Sequence, residues 1–166
     1  GIFKQRTFYR RSMDAGLTWE SQRTVGIDAS GFDAVPVVAG NGGTAVVVAR
    51  YGNVASGGIS VWPEPALNSN TWTVTGTDQT SQLPSLQGGQ GPFRLAVVHN
   101  GGNIFYAEFT VGSGPTYTPA FGSLSDISSA FSGLANCANP TVADYAGTNT
   151  FVAWEADNGT AHRVYV

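Results

Sequence analysis

One order of residues occurs three times in this chain: a proline, a short apolar run, a glycine turn, and a second apolar run carrying an alanine near its end. The copies are VPVVAGNGGTAVVVARY (35–51), GPFRLAVVHNGGNIFYAEF (91–109) and NPTVADYAGTNTFVAWE (139–155). Pro36 to Ala49 and Pro140 to Ala153 each span 13 residues, and Pro92 to Ala107 spans 15, so the middle copy carries a two-residue insertion. A proline lacks the N–H that a ladder needs and is tolerated where a strand begins. Pairs such as Asn100-Gly101 adopt the positive φ that a tight hairpin turn demands. Each copy therefore reads as a β-hairpin. After the first, residues 58–62 read as a third strand and the stretch around 72–76 as a fourth. Four strands in each period of 45 to 56 residues is the content of one β-propeller blade. A sandwich of ordinary hairpins is the alternative, and it gives no reason for the recurring order.

Composition agrees with an all-β chain. Only 11% of the 166 residues are charged, against roughly 25% in an average soluble domain. There are 22 glycines and a single lysine, Lys4. Ser-Thr-rich strands and turns take the place of charged helices. The stretch SLSDISSAFSGLA (123–135) is the expected exception, with Ile127, Phe131 and Leu134 at helix-like spacing.

The same numbers narrow the function. A net charge of −3 leaves no basic stripe for phosphates, so nucleic acid is not an expected partner. Arg10-Arg11 reads as a solvated strand edge. No run of 18 apolar residues is present, so no membrane-spanning helix is expected. The lone Cys137 cannot form an internal disulfide and reads as a small buried side chain. His99 and His162 stand without ligand spacing, so no metal site is expected. The glycine stretches at 40–43 and 100–102 lead into strands, so they are not phosphate loops, and no cofactor is expected. A lysine-poor, Gly/Ser/Thr-rich surface points to an extracellular or cell-surface setting. There Asn158-Gly159-Thr160 would be a glycosylation acceptor if the source is a eukaryote.

The segment SMDAGLTW (12–19) carries the most specific signal. It matches the Asp-box, Ser-x-Asp-x-Gly-x-Thr-Trp, at Ser12, Asp14, Gly16, Thr18 and Trp19. The chain thereby resembles the sialidase-like (BNR-repeat) β-propellers. Worn copies follow: PALNSNTW (65–72) keeps Thr71 and Trp72, and TVGSGPTY (110–117) keeps Gly114, Thr116 and the aromatic Tyr117. Trp19, Trp72 and Tyr117 lie 53 and 45 residues apart, close to the spacing of the prolines. The resemblance implies that the box sits between the third and fourth strands of a blade, away from the substrate pocket. An acid two residues before a glycine turn can accept bonds from local backbone N–H groups, and Trp19 can fold down as an apolar plug. Asp14 is thus expected to be a buried or half-buried brace, bonded to backbone within its own turn.

The resemblance further implies, for an active member, three arginines on a substrate carboxylate, a Tyr–Glu nucleophile pair and an Asp acid/base. Phe93-Arg94-Leu95 resembles the start of the Phe-Arg-Ile-Pro stretch that supplies the first arginine, but Pro92 precedes it. No catalytic residue is assigned. Ligand-binding candidates come from the repeats: just after the second-strand alanine stand Arg50, Glu108 and Trp154. Their types differ where a framework position would repeat, and they offer donors, an acceptor and a ring face to a sugar. Exposed strand ends without a partner are the competing reading, and Tyr51, Tyr106 and Glu155 share it. The expected function is glycan recognition by an extracellular propeller segment. The alternatives are part of an exo-sialidase-type hydrolase, or a structural or protein-interaction module of a surface or appendage protein.

The expected layout is one propeller segment over 1–166: a half blade with the Asp-box (1–30), blades at 31–85 and 86–135, and a half blade at 136–166. The stretch 6–11 and the closing HRVYV (162–166) both read as third strands. Three blade equivalents leave faces and edges unpaired, so a longer chain forming a six-bladed ring, or association of copies, is expected to complete them.

Overall fold

The computed structural model describes residues 7–25, 34–40, 46–51, 59–63, 72–73, 82–89, 91–99, 102–112 and 119–166. They form four antiparallel sheets in chain order, and none closes into a barrel. The first pairs β1 (Thr7–Tyr9) with β2 (Arg23–Val25). The second has the order β3 (Ala34–Gly40), β4 (Val46–Tyr51), β5 (Ile59–Pro63), β6 (Trp72–Thr73). The third contains β7 (Gln82–Gln87), β8 (Phe93–His99), β9 (Asn103–Val111), β10 (Pro119–Phe121) and β11 (Ser125–Asp126). The fourth has β12 (Ala135–Tyr145), β13 (Asn149–Asp157) and β14 (His162–Tyr165). All three predicted hairpins are present, as β3–β4, β8–β9 and β12–β13. The one helical piece in the described residues is a 3-10 turn at Ser128–Ala130, inside the stretch where helix-like spacing was noted.

In the third sheet, β10 and β11 are one interrupted edge strand. Both lie along the edge of β9 that β8 leaves free, at Phe109–Val111 and Phe105–Tyr106. Gly122 donates from its N–H to the Glu108 carbonyl at 2.7 Å where the strand is broken.

The registers correct one expectation. Pro36, Pro84 and Pro140 each fall at a register shift in the leading strand of a sheet: between Ala34 and Val37, Gln82 and Ser85, and Ala138 and Thr141. Pro84, not Pro92, is therefore the middle counterpart. QLPSLQ is polar and carries no strand signature of its own, whereas the apolar FRLAVVH has that of a leading strand. In fact β8 is the second strand of its sheet, and the expected boundary at 85/86 cuts β7 in two.

The reason for the apolar run in β8 is that it is covered on both faces. Its odd residues Phe93, Leu95 and Val97 join Val61 and Phe109 in a core between the second and third sheets. Phe93 and Phe109 stack at 5.2 Å between centroids. The opposite face of the third sheet contributes Ile104, which packs with Cys137, Trp154 and Ala156 of the fourth. As expected, Cys137 is a small buried side chain, and burial raises its thiol pKa. The leading strands also meet one another. The Ser85 hydroxyl on β7 accepts the Val142 N–H of β12 at 3.0 Å. On the other side Gly88 approaches β3 so closely that a Cβ would collide with the Gly40 carbonyl.

Among the residues whose side chains are described, Phe8, Met13, Leu17 and Trp19 of the first sheet and its turn are exposed, as are Tyr145, Phe151, Val164 and Val166 of the fourth sheet or its end.

Candidate functional site

The turn at 12–19 is built by short side chains bonding to backbone. The Ser12 hydroxyl accepts the Gly16 N–H at 2.7 Å and donates to Asp14 Oδ1 at 2.8 Å. Asp14 also accepts the Thr18 N–H at 2.8 Å and the Thr18 hydroxyl at 2.6 Å. Ala15 and Gly16 take positive φ to reverse the chain. These bonds, from Thr18 first and Ser12 after it, lower the Asp14 pKa to about 2. Trp19 departs from expectation: it is 55% exposed and plugs nothing. The turn is closed by the bonds of Ser12, Asp14 and Thr18, which need no indole over them. Nor are Arg10 and Arg11 merely solvated. Arg10 donates to the carbonyls of Glu20 and Trp19, and Arg11 pairs with Glu20 at 2.9 Å. A cleft of about 510 Å³ between this segment and β3 is lined by residues 8–12 and 36–40.

The three binding candidates do not share a ladder position. Ala49, Ala96 and Ala153 pair with the residues that follow the three proline shifts. The residues after these alanines are Arg50, Val97 and Trp154. Glu108 lies one strand further on, opposite Arg94. The Arg50 backbone pairs with Ser60 on β5, and its side chain lies outside the described residues, as does that of Tyr51. Trp154 is 3% exposed, with Phe131 on its edge and Tyr165 stacked on its face, so its ring is occupied by the core. Glu155 lies on the open face of the fourth sheet, within reach of His162 and Asn139.

Glu108 does belong to a polar cluster that spans the third and fourth sheets. Alternation along β8 sends Arg94 toward the fourth sheet beneath Ile104. Its guanidinium is 3% exposed, which is costly for a charge unless it is paired. Arg94 Nη1 donates to Asp144 Oδ2 at 3.0 Å, and Nη2 to the Gly147 carbonyl at 3.2 Å. Nε makes no hydrogen bond and lies 3.5 Å from Glu108 Oε1. Asp144 is itself fixed by the Gly147 N–H at 3.0 Å. At the solvent side the Tyr106 phenol donates to Glu108 Oε1 at 2.8 Å and approaches the Thr150 hydroxyl at 3.4 Å. Partial burial raises the Tyr106 pKa, so the phenol keeps its proton. The Glu108 side chain is 47% exposed. The arrangement is a buried cation with a rim of carboxylate, phenol and hydroxyl. Such a rim can donate to and accept from neutral polyols.

Sequence reasoning had named Glu108 but not Asp144 or Thr150, because Asp144 meets Arg94 across 50 residues of chain. Among the described residues no group of His, Cys, Asp and Glu could hold a metal ion, and no helix is long and apolar enough to cross a membrane. His99 is a core histidine packed on Phe105 at 4.1 Å, and burial lowers its pKa. No protein family, curated protein or solved structure matches the chain.

Proposed function

We propose that this chain is a segment of an extracellular, sialidase-like Asp-box β-propeller that recognises glycans through the rim of Tyr106, Glu108 and Thr150. The observation that carries the scaffold is the meeting of leading strands: β7 lies against β3 at Gly40–Gly88 and against β12 at Ser85–Val142. Successive sheets that share such an axis are the arrangement of blades. Ser12–Trp19 lies between β1 and β2, and Trp72 opens β6, as the Asp-box reading expects of a turn between the third and fourth strands of a blade. The first sheet, the fourth sheet and the two between them amount to half of a six-bladed ring.

Glycan recognition rests on the rim, which combines a half-exposed acceptor with two hydroxyls on a rigid base. Hydrolysis is the weaker reading. The described residues bring one arginine to the cluster, Arg94, and Asp144 already holds it. The test is retention on a glycan array run beside turnover of a fluorogenic sialoside. Binding without turnover is expected, and Glu108→Ala and Tyr106→Phe should each weaken it about tenfold, the worth of one hydrogen bond to a charged group. Retention unchanged in both variants would remove the rim from the site, and retention of no glycan would remove the function.

A further inference from the structure

The turn between β13 and β14 converges three donors on one amide oxygen. Asn158 Oδ1 accepts the Thr160 N–H at 3.1 Å, the Thr160 hydroxyl at 2.9 Å and the Ala161 N–H at 3.0 Å. Short polar side chains commonly cap turns by bonding the backbone ahead of them, but this oxygen takes a hydroxyl as well. Donors so placed favour negative charge on the oxygen they surround. Among the described residues, neither Asn158 Nδ2 nor the Gly159 N–H has a hydrogen-bond partner. Gly159 is exposed, at φ +84°, and a Cβ there would meet no atom beyond its chain neighbours within 4 Å. Without a side chain of its own, its nitrogen reaches the preceding Cγ with little hindrance. These bonds all lie within residues 158–161, so neither the propeller reading nor the glycan reading bears on them.

We infer that Asn158 is a site of self-modification, closing a succinimide with the Gly159 nitrogen and opening to aspartate and isoaspartate. The Gly159 nitrogen forms a bond to Asn158 Cγ and gives its proton to water. The carbonyl electron pair moves onto Oδ1, where the Thr160 and Ala161 donors hold it. When the carbonyl re-forms, the Cγ–Nδ2 bond breaks, and Nδ2 takes up a proton and leaves as ammonia. Water then adds to either carbonyl of the ring and opens it. The sum is one water consumed and one ammonia released, with no oxidation or reduction. The isoaspartyl product routes the main chain through the side chain of residue 158 and adds one atom to the connection. That connection closes the ladder at the pair Asp157–His162, so conversion loosens the seat of β14.

The test is incubation of the full chain in mildly alkaline buffer, followed by peptide mapping with fragmentation that separates aspartate from isoaspartate. The expected result is both products at position 158, preceded by a transient species that has lost ammonia. Thr160→Val removes the hydroxyl donor and should slow conversion about tenfold, the worth of one hydrogen bond. Thr160→Ser keeps the donor and should convert as the parent does. Circular dichroism checks that both variants fold. In urea, where the turn is undone, all three chains should convert at similar rates. Amides of β14 should exchange faster in converted molecules than in fresh ones. Equal rates for the folded parent and folded Thr160→Val overturn the inference. So does aspartate formed without isoaspartate, which marks direct hydrolysis of the amide. An Asn158 that stays intact in the folded chain and converts only in urea also overturns it.

Discussion

Asp14 accepts three hydrogen bonds from Ser12 and Thr18, all within four residues of itself. Such a brace acts on stability and not on ligands. Replacing it with alanine leaves the Thr18 N–H without its acceptor. Asp14→Ala should lower the melting temperature by about 2–4 °C, a modest loss for a chain of this size, and leave glycan retention unchanged. The pH dependence has a definite sign. The folded pKa is about 2, below the ordinary 3.8, so the contribution is complete above pH 3.8 and is lost as pH falls through about 2. Thermal melts from pH 5 to pH 2 should therefore converge for the two proteins at the acid end. The turn was legible in the sequence because every partner is local. Trp154 was not, because an indole beside a strand alanine reads alike whether it faces solvent or core. Only the arrival of Phe131 and Tyr165 decides it.

Strand β14 is held to its sheet partly by one side chain. His162 directs Nδ1 to Asp157 at 2.9 Å and Nε2 to Glu155 at 3.2 Å. A neutral imidazole has one N–H, so satisfying both carboxylates requires the doubly protonated ring. The two hydrogen bonds, that of Asp157 first, raise the His162 pKa above 6.5. The same contacts lower the pKa values of Glu155 and Asp157, which Asn139 and Asn136 also bind. The tether is complete below pH 6.5 and is lost as pH rises through the folded pKa of the histidine. At the acid end it is lost as the two carboxylates take up protons. A proton-NMR titration should find His162 titrating above its value in the unfolded chain. Amide exchange in β14, corrected for intrinsic rate, should quicken above that midpoint in the native protein and show no such step in His162→Gln. At this scale the three hairpins were legible from proline, glycine turn and apolar period. The middle leading strand was not, because β7 gains its place from Pro84 and from contacts with β3 and β12, neither of which leaves an apolar signature.

Across the molecule, Arg94 is the buried charged tie between the third and fourth sheets among the described residues. Its partners Asp144 and Gly147 lie 50 and 53 residues away in sequence. Removing one member of a buried pair leaves the other uncompensated. Arg94→Met should cost about 3–5 kcal/mol, read from urea denaturation, and the double variant Arg94→Met/Asp144→Leu should recover part of that loss. Equal costs for the single and double variants would show that packing around Arg94, and not its charge, is what matters.

The interruption between β10 and β11 bears on how this protein behaves when crowded. An edge that runs straight offers an incoming chain a continuous template, and templates of that kind seed fibrils. The outer edge of the third sheet is cut at Gly122 into pieces of three and two residues. An approaching strand loses register after a single step there. Polymer growth by edge addition is thus disfavoured at the outer edge of the third sheet.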